Sequence, residues 1–123
     1  MQNKPFNFGP VALTNTLTTN ILNPAITSLA GPVGFTATQP YILLRHIRIV
    51  NKTAGAVTFS LWKGATGANA AGTEVIGIAK SIPANDSYDY YGLLRLDAAD
   101  FLVGGASAGT SLSIQGEGEI GFV

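Results

Sequence analysis

Two segments of the chain alternate between apolar and polar residues with a period of two, and this alternation constrains the fold most strongly. In the first segment, AVTFSLWKG (56–64), Val57, Phe59 and Leu61 share one parity. The second segment is SLSIQGEGEIGFV (111–123), in which the apolar residues of one parity are Leu112, Ile114, Ile120 and Phe122. Successive side chains of a β-strand point to opposite faces of its sheet, so both segments are expected to be strands with one buried face.

Further short strands are expected in four segments, YILLRHIRIVN, TEVIGIAKSI, DSYDYYGLLRL and FLVGG. Residues typical of turns, such as those of NKTAGA and PAND, separate them, and no segment has a sustained helical period. The chain is therefore expected to be all-β, an antiparallel, jelly-roll-like β-sandwich. Arg45 and Arg48 would lie on opposite faces of the first of these strands unless a bulge intervenes.

The first 40 residues have a different character, with five of the six prolines and one charged side chain, Lys4. Proline interrupts a strand ladder, which predicts an extended arm with two short strands, Val11–Leu13 and Ala25–Leu29. Disorder is the alternative, but it would expose the apolar side chains of the arm to water. We expect those side chains to contact other subunits: Phe6, Phe8, Leu13, Ile21 and Leu22. The whole chain, 1–123, is interpreted as one domain in which about 1–40 form the arm.

Charged residues make up 11% of the chain, compared with about 25% in a typical soluble domain. Either the surface is polar but neutral, or part of it is buried against other subunits, where charged residues are depleted. All seven acidic residues follow residue 73, and five of the seven basic residues precede it. The simplest interpretation is that strands of the two halves pair and neutralise each other within one sheet. The alternative is a pair of complementary faces on different subunits.

The composition argues against several functional classes. The chain has no cysteine and one histidine, His46, so neither a thiolate site nor a multi-histidine metal site can form within it. No nucleophile motif is present, and neither an enzyme activity nor a cofactor is expected. No basic surface suits nucleic acid, no apolar run of about 18 residues suits a membrane, and the N-terminus does not resemble a signal peptide.

Three local features have more than one interpretation. The loop GANAAGT (67–73) has the glycine spacing of a phosphate-binding P-loop but lacks its lysine, so a contact or tip loop is expected. Gly116 and Gly118 are expected to bend the last strand beneath a large side chain, such as Trp62 or a tyrosine. Four aromatic residues could stack on sugar rings, although a place in the core or an interface is more common: Trp62, Tyr88, Tyr90 and Tyr91.

Three segments in order, LLRHIRIVNKTAGAVTFSLWKGATGANAAGTE, SIPANDSYDYYGLLRLDAADFLVGG and LSIQGEGEIGFV, resemble small structural proteins of tailed-bacteriophage virions. The likeness is to β-sandwich proteins of the capsid decoration (cement) type, and it covers about residues 41–123. It implies a non-enzymatic protein that is made in the host cytoplasm and binds the exterior of the major capsid protein lattice, often as a homotrimer. The alternatives are a carbohydrate-binding β-sandwich module and a tail or fibre component.

Overall fold

Two antiparallel sheets of four strands each form the protein, in a computed structural model that describes residues 4–22, 40–65, 67–97 and 99–122. The strands are β1 (Lys4–Ala12), β2 (Asn20–Leu22), β3 (Pro40–Asn51), β4 (Val57–Gly64), β5 (Lys80–Ile82), β6 (Ser87–Leu96), β7 (Phe101–Ala106) and β8 (Leu112–Phe122). Sheet A has the order β1-β8-β3-β6 and sheet B has the order β2-β7-β4-β5. The expected all-β fold with antiparallel, sandwich-like sheets is confirmed.

The core lies between the two sheets and is formed by the side chains that the alternating segments predict. Val57, Phe59 and Leu61 of β4 belong to one buried cluster with Leu112, Ile114 and Ile120 of β8. Strand β3 contributes four more members of this cluster, all of them fully buried: Ile42, Leu44, Ile47 and Ile49. Burial of a Leu or Ile side chain contributes roughly 1.5–3 kcal/mol, so this cluster is the main source of stability.

A bulge interrupts the alternation of β3. Its register against both β6 and β8 shifts between Leu44 and His46. Against β8, Arg45 is an extra residue of β3, whereas against β6 the extra residue is on β6, where Gly92 and Leu93 together lie opposite Arg45. Because Arg45 is extra relative to β8, Leu44 and Ile47 both face the core although three positions separate them. Arg45 and Arg48 consequently lie on the same, outer face of sheet A, where each forms an ion pair with a carboxylate. The sequence predicted opposite faces for Arg45 and Arg48 unless a bulge intervened, and the bulge is present.

The N-terminal residues 4–22 do not extend from the domain as an arm, which corrects the expectation. β1 pairs with β8 in sheet A, and β2 pairs with β7 in sheet B. Prolines 5 and 10 are tolerated because β1 is at the edge of sheet A among the described strands, and one side of its backbone has no strand partner there. Pro10 lies in an irregular part of β1, because the register of β1 against β8 shifts between Phe8 and Val11. The expected strand Val11–Leu13 is thus the end of a longer one, and Ala25–Leu29 lies outside the described residues.

The expected subunit contacts of the N-terminal segment are also corrected. Phe6, Phe8, Leu13 and Leu22 are buried in the core cluster, and Ile21 is half-buried against it. Since these side chains are enclosed by their own domain, they cannot contact another subunit without leaving the core. Their apolar character is explained by folding rather than by assembly.

Two glycines of β8 allow close packing in the middle of sheet A. The large neighbour of Gly116 is Phe8, since a Cβ atom at Gly116 would lie 2.6 Å from Cε1 of Phe8. The expectation of Trp62 or a tyrosine was wrong in this respect. At Gly118, a Cβ atom would clash with the carbonyl oxygen of Leu43 on the adjacent strand β3. The backbone of β3 cannot move away, because it is paired on both sides.

We predict that Gly118→Ala lowers the free energy of unfolding by roughly 1–3 kcal/mol, the usual cost of overpacking. Equilibrium denaturation in urea measures this difference. The matched control is Gly55→Ala, because a Cβ atom at Gly55 has no neighbour within 4 Å. Equal stability of the two variants would contradict the close packing of β8 on β3.

Candidate functional site

The outer face of sheet A carries one row of polar and aromatic side chains that crosses all four strands. Asn7 of β1 is paired with Glu117 of β8, which is paired with His46 of β3, and His46 is paired with Tyr91 of β6. Directly paired residues of antiparallel strands have their side chains on the same face, with Cβ atoms about 4.5–5.5 Å apart. These four residues are called the outer row.

His46 is the centre of the outer row and contacts residues on both neighbouring strands. Its Nε2 atom lies 2.8 Å from Oδ1 of Asp89, and its Nδ1 atom lies 3.5 Å from Oε1 of Glu117. The imidazole ring stacks on the ring of Tyr91, with centroids 4.6 Å apart and an angle of 10° between the planes. Both ring nitrogens thus face carboxylate oxygens, and one face of the ring is covered by an aromatic side chain.

Asp89 connects His46 to Arg48. The Arg48 Nε–H group donates to Oδ1 of Asp89 over 2.8 Å. This bond holds the pKa of the Asp89 carboxyl below its ordinary value of 3.8, and the bond with His46 acts in the same direction. Desolvation acts the other way, but it is the smaller effect. The same Arg48–Asp89 bond raises the pKa of the Arg48 guanidinium.

The charges of the two halves of the chain neutralise each other across sheet A. Arg45 pairs with Glu119 over 3.0 Å, next to the Arg48–Asp89 and His46–Glu117 contacts. In each case the basic residue is on β3 and the acidic residue is on β6 or β8. The simpler of the two interpretations of the charge asymmetry is thereby confirmed, and the outer face of sheet A carries little net charge around the outer row.

A cleft of about 420 Å³ lies at one end of the outer row, over β1 and β8. The polar side chains at the cleft come from Asn7, His46, Gln115 and Glu117, and its other lining residues include Gly9, Gly116 and Gly118. Amide, imidazole and carboxylate groups can all form hydrogen bonds with a polar ligand. The cleft could therefore hold a small polar group such as a sugar hydroxyl.

The contacts of His46 hold its imidazole ring in place within the outer row. His46 is enclosed by Asp89, Glu117 and Tyr91. Within the described ranges, no group of three or more His, Cys, Asp or Glu residues is arranged to hold a metal ion. The geometry is that of a polar network in which His46 lines the cleft and stacks on Tyr91.

The four aromatic residues proposed as a ligand platform do not share one surface. Trp62 is buried, with 5% of its surface exposed. Tyr88 and Tyr90 are half-buried and pack against the core cluster. Tyr91 differs from the other three, because 72% of its surface is exposed. The structure therefore leaves Tyr91 as the aromatic residue of this set that can contact a partner or ligand.

Leu93 is a surface residue that the sequence analysis missed. It lies on β6 two positions after Tyr91, and 57% of its surface is exposed. The alternation within DSYDYYGLLRL could have identified it, since Tyr91 and Leu93 share the parity opposite to Tyr88 and Tyr90. β6 is an edge strand of sheet A within the described part of the chain. Two large apolar side chains therefore project next to a sheet edge.

The loop GANAAGT is hydrogen-bonded to two strands of sheet B. The Gly67 N–H donates to Oδ1 of Asn20 on β2, and the Lys63 N–H of β4 donates to the Thr73 carbonyl. Because β7 lies between β2 and β4, the two ends of the loop are attached to strands on either side of β7. Trp62 and Val103 are paired and are buried although they lie outside the central core.

The strand expected over TEVIGIAKSI is shorter than the sequence suggested. β5 comprises Lys80–Ile82, and Glu74 forms a single bridge with Trp62. Between them, Ile76 and Ala79 have φ values of 70° and 48°, which a regular strand does not allow. Hydrogen bonds from this segment to Leu61 and Ser60 keep it along the edge of β4 nevertheless.

Comparison of the chain with protein-family models, curated proteins and solved structures gave no match. Among the described residues, the structure has no helix of the length and apolarity needed to cross a membrane. The functional conclusion therefore depends on the surface features of the two sheets.

We predict that Asp89→Asn makes the stability of the protein less dependent on acid pH. A depressed carboxyl pKa stabilises the folded state above the ordinary pKa, and this stabilisation is lost as the pH falls through the folded-state pKa. In the wild type, Asp89 therefore contributes to the loss of stability below its ordinary pKa of 3.8. Melting temperatures at about pH 7 and about pH 2.5 should differ less in the variant than in the wild type.

The matched control for this measurement is Asp86→Asn. The described contact of the Asp86 carboxylate is a local hydrogen bond from the Ser87 N–H group. An acid-induced decrease in melting temperature that is the same in Asp89→Asn and in the wild type would contradict a stabilising role for the Asp89 network.

Proposed function

We propose that the protein is a non-enzymatic virion structural protein of the decoration (cement) type, which binds the outer surface of the capsid and stabilises it. The observation that carries the proposal is the exposure of Tyr91 and Leu93 beside the edge of sheet A. The outer sides of these two side chains are open to a partner. Exposed Tyr and Leu side chains on the face of a sheet supply apolar area for such a contact.

The charge distribution supports an assembly role. The ion pairs of sheet A lie within the chain, so the surface around Tyr91 and Leu93 offers apolar contacts with little net charge. Charged residues are depleted and tyrosine is enriched in the centres of protein interfaces. The partner in this proposal is the major capsid protein lattice, and the resemblance of residues 41–123 to decoration proteins points to the same class.

The structure changes which part of the chain is proposed to bind. The apolar residues of the N-terminal segment belong to the core, so the proposed contact surface moves to β6. Many copies on one lattice would gain affinity from multivalency, and a contact of modest area on each copy is then sufficient.

We predict that Leu93→Ser weakens capsid binding about tenfold or more, because burial of a leucine contributes roughly 1.5–3 kcal/mol. The measurement is co-sedimentation of the purified protein with capsids of the phage that encodes it, prepared without this protein. Cryo-electron microscopy of the same particles locates it.

Ile78→Ser is the matched control, since Ile78 has the same exposed fraction of 57% but lies on the loop before β5. It should bind as the wild type does. Absence of wild-type binding to capsids, or a location on the tail, would overturn the proposed function.

A second candidate function is glycan binding, which is favoured by the stacking of the exposed Tyr91 on His46, a residue that lines the polar cleft. Aromatic rings stack on sugars. The amide groups of Asn7 and Gln115 and the carboxylate of Glu117 could form hydrogen bonds with the hydroxyl groups of a sugar. If this function is correct, a glycan array detects binding that Tyr91→Ala abolishes and Leu93→Ser retains. An array without any binding would exclude the glycans it displays.

A further inference from the structure

In β6, residues at equal distances before and after Gly92 resemble or complement each other. Tyr91 and Leu93 flank the glycine, and Tyr90 and Leu94 follow outward. The next two residues, Asp89 and Arg95, have opposite charges. The last pair in this series consists of Tyr88 and Leu96. Each position on one side of Gly92 thus has a partner of similar size or of opposite charge on the other side.

The two faces of β6 follow the same symmetry. Tyr88, Tyr90, Leu94 and Leu96 belong to the core cluster or pack against it. On the outer face, Asp89 and Tyr91 contact His46, and Leu93 is exposed. Arg95 pairs with Asp97 and lies over the ring of Tyr41, whose centroid is 4.3 Å from its Cζ atom. Residues at equal distances from Gly92 therefore face the same side of the sheet.

We propose that a second copy of this chain pairs with the first along β6, antiparallel, about a two-fold axis at Gly92. The two four-stranded A sheets then form one continuous sheet of eight strands. In this arrangement Tyr91 of each copy lies opposite Leu93 of the other, and Asp89 lies opposite Arg95. Cross-strand aromatic–aliphatic pairs and opposite charges both stabilise antiparallel pairing.

Other symmetric registers are less favourable. A two-fold axis perpendicular to the sheet keeps each side chain on its own face, so a residue must lie opposite its own copy at the axis. With Tyr91 at the axis, Asp89 would lie opposite Leu93, and Arg95 opposite Ser87. With Leu93 at the axis, Asp89 would lie opposite Asp97, and like charges in direct opposition are destabilising. The axis at Gly92 is the one that pairs Asp89 with Arg95.

The pairing explains features of β6 that an exposed edge strand rarely combines. Natural edge strands are usually short, or carry charges, prolines or bulges that prevent pairing. β6 has ten residues, contains no proline, and places Tyr91 and Leu93 beside its open edge. Its charged residues Asp89 and Arg95 would face each other across the axis, and its side chains keep their alternation on both sides of the register shift at Gly92 and Leu93. Within the described residues its strand neighbour is β3 alone. A second copy would give the backbone groups of the edge their partners, while the outer sides of Tyr91 and Leu93 stay open to a further contact.

This inference does not depend on the proposed function, because a two-fold pair could serve any assembly. The resemblance implied a trimer, whereas pairing along β6 gives a dimer, because each copy uses its β6 edge for the other copy. The wild-type chain is expected to be a dimer in sedimentation-velocity ultracentrifugation. A monomer at every concentration would overturn the inference while leaving capsid binding to be measured separately.

Charge reversal tests the register of the pair. Asp89→Arg places two positive charges opposite each other at both ends of the interface, and Arg95→Asp places two negative charges there. Each variant alone should dimerise at least about tenfold more weakly than the wild type. An equimolar mixture should form heterodimers, because both contacts are then complementary. A mixture that remains monomeric, while each variant has the circular dichroism of the wild type, would overturn the register.

Cysteine cross-linking provides a second test that leaves the charges of Asp89 and Arg95 unchanged. The chain has no cysteine of its own, so Tyr91→Cys and Leu93→Cys introduce single thiols. Directly opposite Cβ atoms about 4.5–5.5 Å apart are close to the separation that a disulfide needs. Oxidation of the mixed variants should give a 91–93 cross-link in larger yield than either variant alone. Equal yields with Ile78→Cys in place of either variant would overturn the pairing.

Discussion

The extra residue at Arg45 in β3 is the constraint on which the rest of sheet A depends. β3 lies between β8 and β6, so its alternation determines which side chains of sheet A face the core. Without the bulge, a strand with Leu44 inside would turn Ile47 and Ile49 towards water and His46 into the core. The bulge keeps both apolar pairs of β3 buried. It also brings Arg45, His46 and Arg48 onto one face, where carboxylates of the neighbouring strands pair with them.

The parts of the fold that the sequence predicts well are those in which local alternation and burial agree. β4 and β8 have a clean period of two, and the described apolar residues of one parity are in the core: Val57, Phe59, Leu61, Leu112, Ile114 and Ile120. β1 was not recognised, because prolines 5 and 10 normally argue against a strand. Their tolerance depends on the position of β1 at a sheet edge, which results from pairing with a segment more than 100 residues away. Contacts of that kind have no local signal in the sequence.

The candidate site shows the same division between local and non-local information. The separation of acidic and basic residues along the chain predicted neutralisation within a sheet, and the ion pairs of sheet A confirm it. The specific partners depend on strand order and register, so the choice of Asp89 for both His46 and Arg48 could not be predicted. The sequence predicts Tyr91 as one of four aromatic residues that could contact a ligand. That Tyr91 is exposed, whereas Trp62 is buried and the other two tyrosines are half-buried, is known only from the folded chain.

Trp62 gives sheet B an intrinsic optical reporter. It is the single tryptophan of the chain, it lies on β4, and 5% of its surface is exposed. Because the indole is buried, an opening of sheet B that admits water to it shifts its emission to longer wavelength. The proposed contacts at β6 involve sheet A instead. Loosening of sheet B can therefore be distinguished from events at β6 in one unlabelled molecule.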